Sequence, residues 1–355
     1  MKKRVFFYIK ALFLCAFVSL CAYFILKKPS VVSDGIKSGL STVGNVLLPT
    51  LFPFMTLACF IENSGVSRLI GKLFSFFTRV VFRLPEEASA SILMSFIGGY
   101  PVGAKMTDSL LKEGKITKAQ AARMYLFCIN GGPAFILSTV GAGLLGSVAA
   151  GAALFCSVTL SSLVIGFASG FLLSEPVKKS ERKKNEKNSL SVFDAVTKSA
   201  SQATSSMLSI SVYVLVFSAI CQVLKEFDLS DNMLAFLFSV FEVTNGVLFS
   251  FSVFPLPVIA AIIGFGGLCV HFQVMNGVIE SGLKIKYFYA SRLIHAALSS
   301  GICRVYLYLF PVNISVVSSL EQSVVLPYSV SLPCCIALAF MSVCLIFDIA
   351  PRKKV

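Results

Sequence analysis

The sequence predicts an all-α polytopic membrane protein, transporter-like, made of two repeated halves with broken or re-entrant helices. Three observations carry that expectation. Hydrophobic residues make up 56% of the 355 and charged ones 14%, tryptophan is absent and mean hydropathy is +0.84. A soluble domain has roughly a quarter of its residues charged, so this chain has too little polar surface to face water all round. Apolar stretches of bilayer length recur along it, and glycine breakers recur in the same register in both halves.

Taken in order, Lys2, Lys3 and Arg4 precede an apolar run at 5–26. It reads as an anchor helix, the first unit at 1–35, because no A-x-A site precedes Lys27-Lys28 and Leu20 is wrong for a lipoprotein cysteine at Cys21. Further stretches near 40–62, 118–140, 144–173, 203–226, 232–253, 287–310 and 328–350 can each cross ~30 Å of hydrocarbon at ~1.5 Å per residue. Counting the first, seven or eight spans are expected. At 66–83, Arg68, Lys72, Arg79 and Arg83 punctuate Leu, Ile and Phe, the pattern of an amphipathic helix in the headgroup region.

The halves are placed at 36–174 and 200–350, separated by a basic, flexible linker at 175–199 that carries Lys178, Lys179, Arg182, Lys183, Lys184 and Lys187. The positive-inside rule puts the linker, the N-terminus and the basic tail at 351–355 in the cytoplasm. Lys and Arg number 31 against 17 Asp and Glu, but they cluster between apolar runs instead of interleaving with exposed aromatics. The expected partners are therefore the lipid bilayer and a small-molecule substrate, not nucleic acid. All eleven cysteines lie inside apolar stretches with no CxxC pair, so they read as small buried hydrophobes and imply neither disulfides nor a metal.

The internal repeat is carried by Phe96, Gly98, Gly99, Gly114 and Arg123 against Phe265, Gly266, Gly267, Gly282 and Arg292, slipping by one residue at the phenylalanines and at the arginines. It continues at Asn130-Gly131-Gly132 against Ser299-Ser300-Gly301. Duplicated halves with discontinuous helices build many secondary transporters, with the site where the breaks meet. Gly98, Gly99, Tyr100, Pro101 and Gly103 cannot form a straight helix. The segment at 88–108 fits a re-entrant hairpin, and 256–282, with Pro255, Pro257, Gly264, Gly266 and Gly267, has the same character. Parallel and inverted repeats both remain open.

Polar residues inside a membrane chain are costly and mark candidate sites. They gather near the breakers as Lys105, Arg123 and Asn130 in the first half and Glu242, Thr244, Asn245, His271, Gln273, Arg292 and His295 in the second. Glu242 with Thr244, Asn245 and Gly246 puts a carboxylate, a hydroxyl and an amide in one turn, able to bind a coupling ion, H+ or Na+, or a substrate. It equally suits a buried helix end. His271 and His295 are proton-coupling candidates by virtue of imidazole titration, with packing as the alternative. Arg123 and Arg292 are either positive-inside charges or a guanidinium pair for a carboxylate. Motifs of hydrolases, metalloproteases and ATP-driven machines are absent, so no enzyme and no cofactor is expected.

The string from Ser95 through Gly98-Gly99-Tyr100-Pro101-Val102-Gly103-Ala104-Lys105, followed by Gly114-Lys115-Ile116-Thr117 and Asn130-Gly131-Gly132-Pro133, resembles the YlbJ-type sporulation integral membrane proteins of the nucleoside-recognition, or Gate, family. The resemblance covers roughly 38–310, including Glu242 to Gly246 and Ser291 to His295; the family more often has Ser-Asn-Pro at the turn near 130. It implies a membrane protein of endospore-forming bacteria, akin in its Gate domains to concentrative nucleoside transporters and connected with moving dipicolinate into the spore. The leading expectation is a permease for a small anionic or aromatic metabolite, held between 98–103 and 264–267. A nucleoside or nucleobase carrier and a non-transporting sporulation scaffold are the alternatives, with a homo-oligomer or other sporulation membrane proteins as candidate partners.

Overall fold

A computed structural model describes residues 2–172 and 191–312, all of whose regular elements are helical. The expected span at 328–350, the tail at 351–355 and most of the linker lie outside the described residues.

Helix α1 (Lys2–Lys27) leads into α2 (Pro29–Thr42), which starts on a proline whose missing N–H is no loss at a helix start. A π-helical turn at Val43–Leu47 joins α2 to α3 (Leu48–Asn63). Pro49 explains the turn: lacking an N–H and crowding the preceding turn, it leaves the ladder to close one residue wider, with Leu48 N bonded to the Val43 carbonyl. The run from Pro29 to Asn63 is still long and apolar enough to cross a membrane. It packs backbone to backbone on α9 (Val192–Leu224), where a methyl on Gly35 would come within 2.6 Å of Ala219 Cα. Small residues serve this purpose in bilayers, where contact area must come from close approach.

Helix α4 (Val66–Val81) shows Leu69, Leu73, Phe76 and Val80 exposed alongside Arg68, Lys72 and Arg79, the arrangement expected of an interfacial helix. Then come α5 (Ala88–Gly98), α6 (Tyr100–Lys112) and α7 (Lys118–Phe127). Helix α7 starts at a capping box in which Thr117 accepts from Gln120 N and the Gln120 side chain accepts from Thr117 N. A π-helical segment (Ala134–Leu144) and α8 (Val148–Leu172) close the first half.

The second half contains α9, α10 (Asp231–Phe241), α11 (Val243–Ser250), α12 (Leu256–Phe265), α13 (Gly267–Glu280) and α14 (Ile285–Leu309). Helix α9 begins inside the segment expected to be flexible linker. Ser191 caps it by accepting from Asp194 N at 3.2 Å, and Asp194 suits the positive end of the helix.

Four helices among the described residues are long and apolar enough to span: Pro29–Asn63, Val148–Leu172, Val192–Leu224 and Leu256–Glu280. The stretches at 118–140 and 232–253, expected as single spans, are each broken, at Cys128–Pro133 and at Glu242. Helix α14, expected as a span at 287–310, has the length of one and carries Lys286, Arg292 and Arg304.

Candidate functional site

Four interruptions of helix meet at one place. The first is Gly99, at φ 87° and ψ −174°, a conformation open to glycine and hardly to any other residue. It turns α6 back onto α5, so closely that a methyl on Gly103 would lie 2.5 Å from Ser95 Cβ. The second is the non-helical stretch holding Asn130, Gly131 and Gly132; a methyl on Gly132 would stand 3.0 Å from Gly99 N.

The third interruption is Glu242, which is extended at φ −145° and ψ 121° between α10 and α11. The fourth is Gly266, left-handed at φ 85° and ψ −9° between α12 and α13. These two also touch, since a methyl on Gly267 would lie 3.0 Å from Val243 N. Tyr100 ties the two pairs together. Its hydroxyl donates to the Ile263 carbonyl at 2.7 Å, near the end of α12, and its ring lies beside Gly266.

A cavity of about 30 Å³ sits at this crossing, room for a water or two and no larger solute. Tyr100 and Pro101 line it from α6, Glu242 and Thr244 from the α10–α11 break, and Gln273 from α13. Apolar walls come from Leu47 and Leu51, from Gly132 and Phe135, from Ile210 and Val214 on α9, and from Val243 and Val270.

Glu242 is 2% exposed, and no ion pair among the described residues involves it. It is held by the start of α11. One carboxylate oxygen accepts from Thr244 N at 3.0 Å and the other from Asn245 N at 2.7 Å, so two orphan amides and the positive end of the helix serve in place of a cation. The carboxylate keeps acceptor capacity beyond these bonds, at the edge of the cavity.

Other expected site residues lie elsewhere. Arg292 is fully buried and donates Nη1 to the Ile129 carbonyl at 2.7 Å and Nη2 to the Leu126 carbonyl at 2.5 Å. It therefore closes the C-terminal end of α7, where carbonyls lack partners within the helix. Arg123 does the same beyond α4, bonding the carbonyls of Phe82 and Arg83. Neither arginine lines the cavity or touches the other, so they form no anion-holding pair there.

The histidines are packed apart. His271 Nε2 is 2.8 Å from the Phe265 carbonyl freed at the break, while His295 bridges Arg292 Nη1 and the Val158 carbonyl. With His295 Nδ1 accepting from the guanidinium, Nε2 carries the proton donated to Val158. Asn130 and Asn245 bond the Phe127 carbonyl and Ser218 Oγ, stabilising the two turns from behind. Gly98 is covered by Val102, and Lys105 reaches outward to Ser206. Sequence reasoning missed the walls from α3 and α9, since Leu and Ile in an apolar helix carry no local mark of which face meets a cavity. No group of three or more metal-ligating side chains occurs among the described residues.

Fold and site together define an all-helical integral membrane protein whose buried polar groups collect where its helices break. Residues 46–170, from the π-helical turn before α3 into the last turn of α8, match the family model described as nucleoside recognition, Gate. Over 330 residues the chain is 25% identical to the sporulation integral membrane protein YlbJ of Bacillus subtilis (strain 168), covering 81% of this chain and 80% of that protein. The resemblance read from the Gly98 to Lys105 string thus extends well beyond it. No solved structure matches the chain significantly.

Proposed function

We propose that the chain is a permease-like membrane protein acting in sporulation, and that the cavity beside Glu242 is its solute site in a closed state. The observation that carries this reading is the convergence of four helix interruptions on one buried carboxylate. Broken backbone inside a bilayer is tolerated where protein buries it or where it lines a wet cavity, and discontinuous helices are the usual means of holding a solute in transporters. The Gate match and the name of the relative support the same reading.

Of the two solute classes the residues suggested, the cavity chemistry favours a neutral ring compound with hydrogen-bonding edges, a nucleobase or nucleoside, over a dipicolinate-type dicarboxylate. Glu242, Thr244 and Gln273 bring a carboxylate, a hydroxyl and an amide to a mostly apolar lining faced by the Tyr100 ring, with Thr244 bonded to Glu242 and Gln273 Nε2 donating to Cys269 Sγ at 3.3 Å. A dicarboxylate needs cations, and the two buried arginines already give donors to backbone carbonyls outside the cavity.

Uptake into proteoliposomes, with a nucleoside, a nucleobase and dipicolinate offered in parallel, tests this reading. We expect saturable flux of a nucleoside or nucleobase that Glu242→Gln abolishes at unchanged protein abundance. Dipicolinate flux alone would return the dicarboxylate. No flux from folded protein would leave the scaffold.

A further inference from the structure

Helix α9 changes character along its length. Asp194, Thr197, Lys198, Ser199, Ser201, Gln202, Thr204, Ser205 and Ser206 crowd its first half, and no charged residue follows from Met207 to Leu224. The second part alone is long enough for the hydrocarbon, at about 27 Å. Its cavity residues, Ile210 and Val214, therefore lie within the first two turns of that part.

The neighbouring helices keep the same level. Asn63, at the end of α3, donates to Ser199 Oγ at 3.0 Å and to Gln202 Oε1 at 2.9 Å, and Lys105 on α6 bonds Ser206. Ser109 stands beside Glu62 in the same seam. Lys105 is exposed and its partner on α9 is the Ser206 hydroxyl, one turn from Gln202. An exposed lysine beside the polar part of a helix belongs in water and not against lipid tails. Lys105 is one helical turn from the cavity residue Pro101, about 6 Å, whereas the far end of α9 at Lys225 is about 16 Å beyond Val214.

Resting on the reading of the cavity as the solute site, we infer that an aqueous vestibule between α3, α6 and α9, floored by Lys105 and Ser206, leads to the cavity through a one-turn apolar gate of Met55, Val102 and Met207. The gate residues are 3%, 2% and 3% exposed and pack in the same cluster as the cavity wall Leu51 and Ile210. Two of the three are methionines, whose unbranched side chains rearrange at little steric cost. The vestibule opens on the face from which α9 begins, so solute reaches the cavity from that side.

Accessibility of single introduced cysteines tests this in the full-length protein in liposomes. The probe is a charged, membrane-impermeant thiosulfonate, and reaction at each site is read by peptide mass spectrometry so that the eleven native cysteines do not interfere. Lys105→Cys and Gln202→Cys should react within about tenfold of Lys112→Cys at the surface. Leu208→Cys, on the same helix and 65% exposed but facing hydrocarbon, should be inert. Ile210→Cys should be inert alone and reactive once Met207→Ala or Met55→Ala thins the gate. Lys105→Cys as slow as Leu208→Cys would remove the vestibule. Ile210→Cys that reacts without a gate substitution, or stays inert with either one, would remove the gate. Labelling needs no flux, so a failed uptake experiment with these reactivities intact would overturn the transport reading and leave the vestibule standing.

Discussion

The two glycine breaks that the sequence reading pairs, at Gly99 and at Gly266, diverge in shape. Gly99 and Gly266 share nearly the same φ, 87° and 85°, but ψ is −174° at the first and −9° at the second. Gly267 after it is also left-handed, at φ 73°, and α6 folds back on α5 while α13 runs on from α12 with scarcely a contact between them, so that Leu256–Glu280 together reach the length of a membrane span. The expectation of matching hairpins thus meets one folded-back pair and one open pair. Downstream the halves stay parallel for a while: Gly114 and Gly282 both take positive φ before the helix that carries Arg123 or Arg292. They part again at Asn130, in a turn, and Ser299, buried inside continuous α14. Similar glycine breaks can therefore give one pair of helices a cramped turn and the other an open course, with Tyr100 bonding the Ile263 carbonyl and Arg292 the Leu126 and Ile129 carbonyls across the fold.

The comparison can be broken at its locks. Arg292→Ala should be the most damaging change, about 4 kcal/mol, because two buried carbonyls, Leu126 in the last turn of α7 and Ile129 just beyond it, lose their donors together. Arg292→Lys should recover part of the loss and Arg123→Ala should cost less, as melting of detergent-purified protein would reveal. Equal effects of the two alanine variants would contradict the claim that the arginine of the second half locks the first.

The breaks themselves come next. Gly99→Asn should cost about 3 kcal/mol, since its ψ lies outside what a side chain tolerates, whereas Gly266→Asn should cost under about 1 kcal/mol in a left-handed position that asparagine adopts. If both variants melt alike, the difference in ψ does not separate the two breaks.

Smallest is Tyr100→Phe. It deletes the one hydroxyl bond from the first break to the end of α12 and should cost about 1 kcal/mol. Its sharper readout is cooperativity: without the link, the cleavage of α12–α13 by a protease on heating should precede that of α5–α6, and simultaneous loss would argue that the breaks are coupled by packing alone.

Much of the membrane character and two of the four interruptions were legible in the residues. The Gly98 to Gly103 string and the glycines at Gly264 to Gly267 break helices for local reasons, namely positive φ and a missing donor. The breaks at Cys128–Pro133 and at Glu242 were overlooked as breaks because each lies within an apolar stretch that reads like an uninterrupted span, even though the polar residues at both were singled out. The arginines were misplaced for a different reason. A guanidinium in an apolar helix suggests an anion, and nothing local indicates that carbonyls at Leu126 and Ile129, far away in the chain, already occupy it.

The residues by themselves determined that the chain is helical, that it is solvated by lipid, and where its backbone must leave the helix, because hydropathy and the torsional limits of glycine and proline are local properties. Only the tertiary structure decided which breaks face one another, which arginine closes which helix end, and that Leu51 and Ile210 wall a cavity with Glu242. Those outcomes depend on unpaired backbone groups finding partners across the fold in a medium without water, and that pairing is set by how the helices pack.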